Sequence, residues 1–594
     1  MNYSPETQKP KRKVSSAVIA IIVCSALIVS SIVYAVLNPN DILDLIPSLI
    51  GDVHSKTHYS DMEYTRPDTD GLIADIDSLI TMINEGKSFN DQRPVFNKIN
   101  TELNTFYTMS ALANIRYATD ATNEFYKEED EFLNTAYVTI SNKTNALLDA
   151  IAFSTFKTNY ERSYFSVGYF NDWKPRTHSD EVVALMEQEQ ALINEYTHAI
   201  SNAFVEINGQ KIILGSDEFY ALNDSNRAEA VNAYYYKYNE QLGKIYIDLI
   251  KIRKQIAEKL DVDYLEYAYS NFDRDYTPEQ TMKYLDGIAK NIIPLLNEIT
   301  IDTTSYDTYA DPITSFYALS RGAKNMGGTI AEAFDYMFEY GLFEFSYSEN
   351  KQDMSFETFL PNYYAPFIFS SPQKNVSDFL TFSHEFGHFV DDYYNVGAGS
   401  TLEAAESASQ AMAYILPFYT NSMMGFDGKD FLKMTVSESV DMYTSQAFIT
   451  RFEHMAYQLS SNELTLDALN ELAYDAATEF GYDEQTAQLY RLAWFSIQHI
   501  YIYPGYTISY IISNDVSLQI LDAELKEPGK GGVKAFTNLI DRDDDLTFTE
   551  DVTSSGFESP FADGRTVKIA DFIKSVLGEA ETEELPSASE TPAA

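Results

Sequence analysis

Apolar residues recur every three to four positions through much of the chain, which is the spacing of one buried helix face. The run TDGLIADIDSLITMINEG (69–86) begins with a capping candidate and ends at a glycine. The runs EQEQALINEYTHAISNAFVEI (187–207) and GKIYIDLIKIRKQIAEKL (243–260) have the same period, and helical patterns continue to about residue 520. The chain is therefore predicted to be mainly α-helical.

Two shorter stretches favour β-strands. VEINGQKIIL (205–214) places β-branched residues on both sides of Asn-Gly, a dipeptide that suits a two-residue hairpin turn. Between residues 340 and 370, one segment alternates between apolar and polar residues and the next is rich in aromatic residues, so we expect a small sheet there. A long helix is expected over KNVSDFLTFSHEFGHFVDDYYN (374–395), and a second helix from about Leu402.

An uncharged stretch of 24 residues, 14–37, follows the basic cluster KPKRK at 9–13. About 20 apolar residues cross the hydrocarbon core of a bilayer, and basic residues before such a stretch favour a cytoplasmic N-terminus. We expect a single-pass anchor in the cell membrane, with all residues after 38 outside the cell. A secretory signal that is cleaved after Ala35 is the alternative.

Changes in composition suggest the remaining boundaries. Residues 1–13 would form a cytoplasmic basic N-terminus, and residues 38–65, which contain two prolines, would form a linker. A helical region is expected over 66–200 and a larger region with the candidate chemistry over 201–577. The acidic end, 578–594, is expected to be disordered.

Charge and cysteine content narrow the chemistry. The net charge of −47 argues against nucleic acid as a partner, because phosphates would be repelled over most of the surface. It favours solubility and is compatible with cationic substrates. The 594-residue chain has one cysteine, Cys24, which lies in the apolar stretch. Outside that stretch, any metal must therefore be held by His, Asp or Glu.

The stretch TFSHEFGHFVDD (381–392) carries the strongest chemical signal. His384 and His388 are four residues apart on a predicted helix, so both imidazoles lie on one face and can bind one zinc ion. Glu385, next to the first histidine, can take a proton from a water molecule at that metal. Two half-buried histidines on a structural helix are the alternative interpretation.

Zinc needs a third protein ligand, and the next predicted helix offers two glutamates. STLEAAESASQAMAY (400–414) contains Glu403 and Glu406, three residues apart. Small residues on both sides of Glu406 allow its helix to pack closely against the histidine helix. We predict Glu406 as the ligand, with Glu403 as the alternative or as a hydrogen-bond partner of a ligating imidazole.

HEFGH followed by EAAESASQ resembles the oligoendopeptidase F and thimet oligopeptidase (neurolysin-like) family of zinc metallopeptidases. Three further segments are similar to this family: SQAFITRFEHMAY (445–457), WFSIQHIYIYPGYTISY (494–510) and SGFESPF (555–561). The resemblance covers about residues 200–575. It departs from the family at Asp391, where a histidine is common.

The resemblance implies a two-lobed helical fold with a deep central cleft, one zinc ion and cleavage of short peptides. By their place in the motif, Tyr506 and Tyr510 would stabilise the oxyanion, and His499 would bind or polarise the substrate. The chemistry also needs such donors, because a tetrahedral intermediate carries negative charge. Tyr501 is a further candidate for substrate contact, with burial in an aromatic core as the alternative.

The segment YYAPFIFSS (363–371) suggests a peptide-binding edge. An exposed strand beside the metal can pair with an extended peptide, which makes Tyr363, Tyr364 and Ala365 candidates for substrate binding. An ordinary interior strand fits the pattern equally well.

Together these features predict a membrane-anchored zinc endopeptidase that acts on short peptides. A zinc carboxypeptidase or dipeptidyl carboxypeptidase that trims single residues or dipeptides, an inactive peptide-binding surface protein and an adhesive ectodomain are the alternatives.

Overall fold

The computed structural model describes residues 54–165, 167–171, 173–214, 216–297, 309–396, 401–420, 428–542 and 546–582. The predicted cytoplasmic N-terminus and anchor, residues 1–37, lie outside this part of the chain, as do residues 38–53 of the linker and 583–594 of the acidic end. In the part of the chain that is described, no helix has the length and apolar character needed to cross a membrane.

Helices dominate the described residues, as the periodicity predicts. In chain order they are α1 Thr69–Asn84, α2 Phe89–Thr119, α3 Glu124–Ala152, α4 Lys157–Tyr164, α5 Asp180–Ser201, α6 Asp217–Tyr220, α7 Asp224–Leu260, α8 Tyr264–Ser270, α9 Pro278–Asn291, α10 Pro312–Met326, α11 Gly328–Glu339, α12 Ser377–Asn395, α13 Leu402–Ile415, α14 Gly428–Gln458, α15 Leu466–Glu479, α16 Glu484–Ala493, α17 Gln498–Ile502, α18 Ile508–Lys526, α19 Gly531–Ile540, α20 Phe548–Ser554 and α21 Arg565–Thr582. The prediction of a mainly α protein is confirmed.

Local sequence explains where several helices begin. Ser88 caps α2 by accepting a hydrogen bond from the backbone N–H of Asp91. At α9, Thr277 and Gln280 form a reciprocal capping box. Thr401 caps α13 in the same way as Ser88, so the helix that carries the two candidate glutamates starts at Leu402, as predicted.

The strands form two small sheets. β1 (Val205–Ile207) and β2 (Gln210–Ile212) pair as an antiparallel hairpin, and Asn208 and Gly209 supply the positive φ angles that its turn requires. The second sheet has the order β3-β5-β4. In that sheet β5 is parallel to β3 and antiparallel to β4.

In the second sheet, β3 is Phe343–Glu344, β4 is Ser355–Leu360 and β5 is Ala365–Ser370. Because β5 lies between the other two strands, it is the interior strand. Of the two interpretations of 363–371, the exposed edge is therefore wrong for β5, and the ordinary interior strand matches the structure. All six residues of β5 are buried. The outer strand next to α12 is β4.

Two hydrophobic cores account for most of the packing. One joins α1 to α4 through residues such as Leu79, Phe106 and Ile140. The larger core continues through the later helices and the three-stranded sheet, and Phe386 and Ile512 are among its fully buried members. Within it, α12, α13 and α18 pack side by side and thereby bring residues near 385, 405 and 510 together.

The described part of the predicted linker is packed against this larger core. His54 stacks on Tyr393 with ring centroids 4.3 Å apart, and the backbone N–H of Ser55 donates to the carbonyl of Tyr363. Met62 is buried. Residues 54–65 therefore do not form a free linker, because their apolar and aromatic side chains have partners in the core.

The C-terminal boundary also differs from the prediction. Helix α21 extends to Thr582, so the first five residues of the segment expected to be disordered, 578–582, are helical.

Candidate metal centre and active site

Helix α12 presents His384 and His388 on the same face, as their spacing requires. Their ring centroids are 5.1 Å apart, and the rings are almost perpendicular. His388 is buried, whereas the side chain of His384 keeps 23% of its surface exposed. The pair therefore has one imidazole in the protein interior and one at an accessible surface.

Glu406 on α13 completes a group of three donors. Its Oε2 lies 3.4 Å from Nε2 of His384 and 3.8 Å from Nε2 of His388. One ligand atom from each of the three residues lies within 4.8 Å of the others. Among the described residues this is the one group of three or more such side chains with that geometry.

These distances suit zinc. Ligand atoms that are about 2.0–2.2 Å from a tetrahedral zinc ion are separated by about 3.3–3.5 Å, close to the spacing of Glu406 Oε2 from the two imidazoles. Two nitrogens and one carboxylate oxygen are also a donor set typical of a catalytic zinc site, which leaves a fourth position for water or substrate.

The close approach of α12 to α13 depends on small residues. A Cβ on Gly387 would lie 2.5 Å from Cα of Ser409 and 2.8 Å from the carbonyl oxygen of Ala408, closer than atoms can pack. From α18, the hydroxyls of Ser513 and Ser517 donate to carbonyls of α13. The glycine therefore lets the glutamate helix reach the two histidines.

Glu403 occupies a different environment, although it is less than one turn before Glu406. Its Oε1 accepts hydrogen bonds from the Arg274 guanidinium and from the hydroxyls of Tyr276 and Ser509, at 2.5–2.8 Å. The structure thus places Glu406, and not Glu403, with the two histidines.

Glu385 is buried directly beside the metal group. Its carboxylate accepts a hydrogen bond from the backbone N–H of Glu357 on β4, while none of the described residues hydrogen-bonds its Oε2. Burial, together with the negative charge of Glu406, raises the pKa of Glu385 to about 7, and His384 opposes this shift. A carboxylate with one free oxygen and a pKa near neutrality is suited to accept a proton.

Two of the three donors, His388 and Glu406, hold the protonation states that metal binding needs at neutral pH. Burial lowers the pKa of His388 to about 4, so its imidazole is neutral. Burial alone would raise the pKa of Glu406, but its hydrogen bond to His384 and the nearby imidazoles lower that pKa to about 2. A neutral imidazole and an ionised carboxylate are the forms that bind zinc. The pKa of His384 is raised instead, because the effect of burial is outweighed by its hydrogen bond to Glu406 and the charges of nearby carboxylates, so a metal ion has to displace a proton from this imidazole.

Three residues predicted from the tyrosine segment lie next to this group. The hydroxyl of Tyr506 donates to Oε1 of Glu406 at 2.6 Å. His499 and Tyr510 are adjacent, with 3.4 Å between His499 Nε2 and the Tyr510 hydroxyl, and the His499 ring centroid is 5.5 Å from that of Tyr506. Burial lowers the pKa of His499 to about 4, so His499 is neutral at pH 7.

Tyr501 from the same segment points elsewhere. Its ring is fully buried and stacks on Tyr196 with centroids 3.7 Å apart, and its hydroxyl donates to the carbonyl of Leu242. From its place on α17, Tyr501 packs against the helices α5 and α7, which matches the alternative of an aromatic core residue.

The residues predicted at the strand edge are also displaced from the metal group. Tyr363 and Tyr364 lie in the turn between β4 and β5, and their carbonyls bind the segment at His54 and Ser55. Ala365 pairs with the last residue of β4 and is buried. This end of β4 is three residues, or about 10 Å, from Glu357, which contacts Glu385.

Asp391, the departure from the family pattern, forms a buried ion pair. Its Oδ1 accepts hydrogen bonds from Arg542 at 2.5 Å and from Asn395 at 2.8 Å. The pair connects α12 to the residues after α19. It lies outside the metal group, so the change from histidine leaves the donor set intact.

Sequence reasoning missed two groups beside the site. The backbone N–H of Glu357 is one, and the carboxyl of Glu438 on α14, near His384, is the other. Burial raises the pKa of Glu438 to about 7. No sequence signal singles out either residue, because both come from elements that reach α12 only in the folded protein.

Comparison with known proteins gives the same picture for fold and family. Residues 59–177 match the model of the Peptidase M3 N-terminal domain. No curated protein gives a significant match to the chain.

Several solved structures have a similar fold. PZ peptidase A, solved with an inhibitor, is 22% identical, with 88% of this chain and 99% of that chain covered and a TM-score of 0.75. A protein described as an oligoendopeptidase F from Bacillus anthracis str. Ames is 21% identical, with 89% and 99% covered and a TM-score of 0.71. Oligoendopeptidase-F from Enterococcus faecium is 15% identical, with 86% and 98% covered and a TM-score of 0.55.

The M3 match falls on the N-terminal helices, whereas the motifs that suggested a resemblance lie after residue 380. Two separate parts of the chain therefore indicate the same family. The predicted resemblance to the oligoendopeptidase F group is confirmed.

Proposed function

We propose that this chain, a peptide-bond hydrolase of the M3 metallopeptidase type, is a zinc-dependent endopeptidase that cleaves short peptides. One observation carries the proposal: His384, His388 and Glu406 place three donor atoms within 4.8 Å of one another, beside the free carboxylate oxygen of Glu385. This arrangement combines a metal site and a base.

In the proposed reaction, His384, His388 and Glu406 hold one zinc ion, which when bound supplies a Lewis acid that polarises the scissile carbonyl and acidifies water. Glu385 accepts a proton from the water that attacks the carbonyl carbon. It then delivers that proton to the amide nitrogen as the C–N bond breaks, which releases an amine and a carboxylic acid, and the acid loses its remaining proton to the amine to give a carboxylate.

Tyr506, Tyr510 and His499 are the proposed donors to the oxyanion. The Tyr506 hydroxyl lies 2.6 Å from a carboxylate oxygen of Glu406 and is therefore close to any group that occupies the metal site. Tyr510 is only partly buried, so its hydroxyl can reach a bound peptide. Preorganised hydroxyl donors at such positions stabilise negative charge without a reorganisation cost.

The side of the sheet next to Glu385 is the proposed place for an extended substrate. The N–H of Ile368 on β5 donates to Leu342 beside β3, so Glu357, which is paired with Ile368, directs its backbone groups away from β5. Its N–H meets the Glu385 carboxylate. We therefore assign recognition of the substrate backbone to β4 in place of Tyr363, Tyr364 and Ala365. A two-lobed cleft would restrict the substrates to short peptides.

The proposed location is the outer face of the cell membrane, with residues 14–37 as the anchor and secretion after cleavage as the alternative. The support is the uncharged length of this stretch and the basic cluster before it.

The substitution Glu385→Gln tests the proposal. We expect the variant to retain about one zinc per chain and to lose turnover by at least about 10³-fold, because Gln cannot accept the proton. The measurements are metal analysis and cleavage of a quenched peptide, with chelator-treated and zinc-restored wild type as controls.

Normal hydrolysis by Glu385→Gln, or full activity of wild type without metal, would contradict the mechanism. Product analysis of peptides with free and amidated C-termini separates an endopeptidase from a carboxypeptidase, since only the latter requires a free C-terminal carboxylate.

A further inference from the structure

The loop between α17 and α18, residues 503–507, is held at both backbone groups of one residue, Gly505. The N–H of Gly505 donates to Oε2 of Glu453 at 2.9 Å, and its carbonyl accepts from Nη1 of Arg274 at 2.7 Å. Gly505 has a φ of 79°, a left-handed conformation that favours glycine. Tyr506, the next residue, is the one whose hydroxyl reaches Glu406.

Arg274 also binds the helix that carries Glu406. Its Nε donates to Oε1 of Glu403 at 2.7 Å, and its Nη2 donates to the hydroxyl of Ser509 at 2.6 Å. One guanidinium therefore joins three elements: α13 just before Glu406, the loop just before Tyr506, and the first turn of α18.

The geometry of this contact requires arginine. The side chain is fully buried, and the ring centroids of Tyr269 and Phe272 lie 4.5 and 4.7 Å from its guanidinium carbon. A planar guanidinium directs its N–H groups to three separate acceptors in fixed directions, whereas a lysine ammonium is a compact charge that cannot reach all three.

A second buried arginine provides a comparison. Arg253 on α7 donates to the carbonyls of Ile500 and Tyr501 at the end of α17, to the hydroxyl of Tyr457 and to Glu189. It caps carbonyls that a helix end leaves free, but none of these contacts involves α13. Arg253 thus supports the same segment without a link to the zinc ligands.

We propose that Arg274 is a positioning residue that fixes Tyr506 relative to Glu406 by joining the Gly505 carbonyl to Glu403. This role rests on the proposed peptidase function. Arg274 lies behind the loop and acts through Tyr506. Without its three-way contact, the loop and α13 can shift independently, and a displacement of about 1 Å at a reacting group can lower a rate by about 10²-fold.

The test is a double-mutant cycle with Arg274→Lys and Tyr506→Phe. Lysine retains the charge beside Glu403, so no buried carboxylate is left without a cation, but the bond to Gly505 is lost. We expect each single variant to lower kcat by about 100-fold, with a much smaller change in KM. Because both changes remove the same contribution of Tyr506, the double variant should be within about threefold of the lower single variant.

The matched control is Arg253→Lys, alone and with Tyr506→Phe. Arg253→Lys also replaces a buried arginine that supports the segment before the loop. We expect its effect on kcat to multiply with that of Tyr506→Phe. Zinc content of about one per chain and a cooperative thermal transition establish that each variant is folded.

A second measurement does not depend on activity. In the metal-free protein, amide hydrogen exchange across 503–507 should be faster in Arg274→Lys than in wild type, because the Gly505 carbonyl has lost the bond that ties the loop to Arg274. In Arg253→Lys, exchange across 503–507 should remain close to that of wild type.

Wild type that binds zinc but cleaves no peptide would refute the proposed function. If wild type is active, two results would overturn the positioning role: full kcat in Arg274→Lys, or effects of Arg274→Lys and Tyr506→Phe on kcat that multiply in the double variant. The positioning role would also be overturned if Arg253→Lys and Tyr506→Phe were equally non-additive in kcat, since Arg274 would then be one of several residues that support this segment in general.

Discussion

Glu403 and Glu406 lie within one turn of α13, yet their carboxylates have different partners. Oε1 of Glu403 accepts three hydrogen bonds, one of them from the buried Arg274. Glu406 meets two imidazoles and the hydroxyl of Tyr506. At the scale of single residues, one glutamate is therefore part of the metal group and the other balances a buried cation.

Glutamine substitutions separate these two roles. Glu406→Gln should weaken zinc binding by more than about 100-fold, since a neutral amide replaces an ionised ligand, while the fold persists because the amide oxygen can still accept from Tyr506. Glu403→Gln should keep the zinc but lower stability by about 3–5 kcal/mol, because Arg274 loses its carboxylate.

Zinc titration and thermal unfolding of both variants provide the measurement. Loss of zinc from Glu403→Gln with retention by Glu406→Gln would reverse the assignment.

The contact between α12 and α13 sets the spacing of the metal ligands. At Gly387 the backbones approach so closely that an added Cβ would meet Cα of Ser409 at 2.5 Å. Both histidines are on α12 and Glu406 is on α13, so any increase in the helix separation lengthens the distances within the donor group. At the scale of elements, Gly387 therefore permits the close helix packing on which the geometry of the metal group depends.

Gly387→Ala should therefore impair both stability and zinc affinity. We expect a loss of about 1–3 kcal/mol from overpacking against a backbone that cannot move aside. Gly243→Ala on α7 is the control: it is also helical, and its new methyl group meets the flexible end of Leu466 at 2.6 Å.

Thermal melts and zinc titration of the two variants test this expectation. Unchanged zinc affinity in Gly387→Ala would show that the helix spacing does not limit the metal site.

The whole molecule carries a large negative charge, with 89 acidic and 42 basic residues. Two of these acidic residues, Glu385 and Glu438, lie close to the proposed site. A field of this sign attracts cationic peptides and speeds their association. Specificity for charge can thus arise from the overall composition without a dedicated binding residue.

Salt should distinguish peptides by their charge. Between about 20 mM and about 500 mM NaCl, kcat/KM for a peptide of net charge about +3 should fall by about tenfold, because screening shortens the range of the field. A neutral peptide with the same cleavage site should change by less than about twofold. Equal salt responses would indicate that the negative charge only maintains solubility.

Local chemistry made much of this protein predictable. The positions of His384, Glu385 and His388 follow from helical spacing, and β1 and β2 follow from the Asn-Gly turn. The order of the second sheet was not predictable, because an interior strand and an edge strand can have the same apolar sequence. Tyr501 and Tyr506 also come from one segment, and only packing shows that the first is core and the second faces Glu406.

The sequence alone determined the helical character, the two imidazoles, the adjacent base and the small residues that admit a third ligand, because these depend on neighbours within a few positions. The tertiary structure decided which glutamate joins the imidazoles, which strand faces Glu385, and that Arg274 reaches Gly505 across 231 positions. Such contacts join residues far apart in the chain, and their geometry exists only once α12, α13 and α18 have packed together.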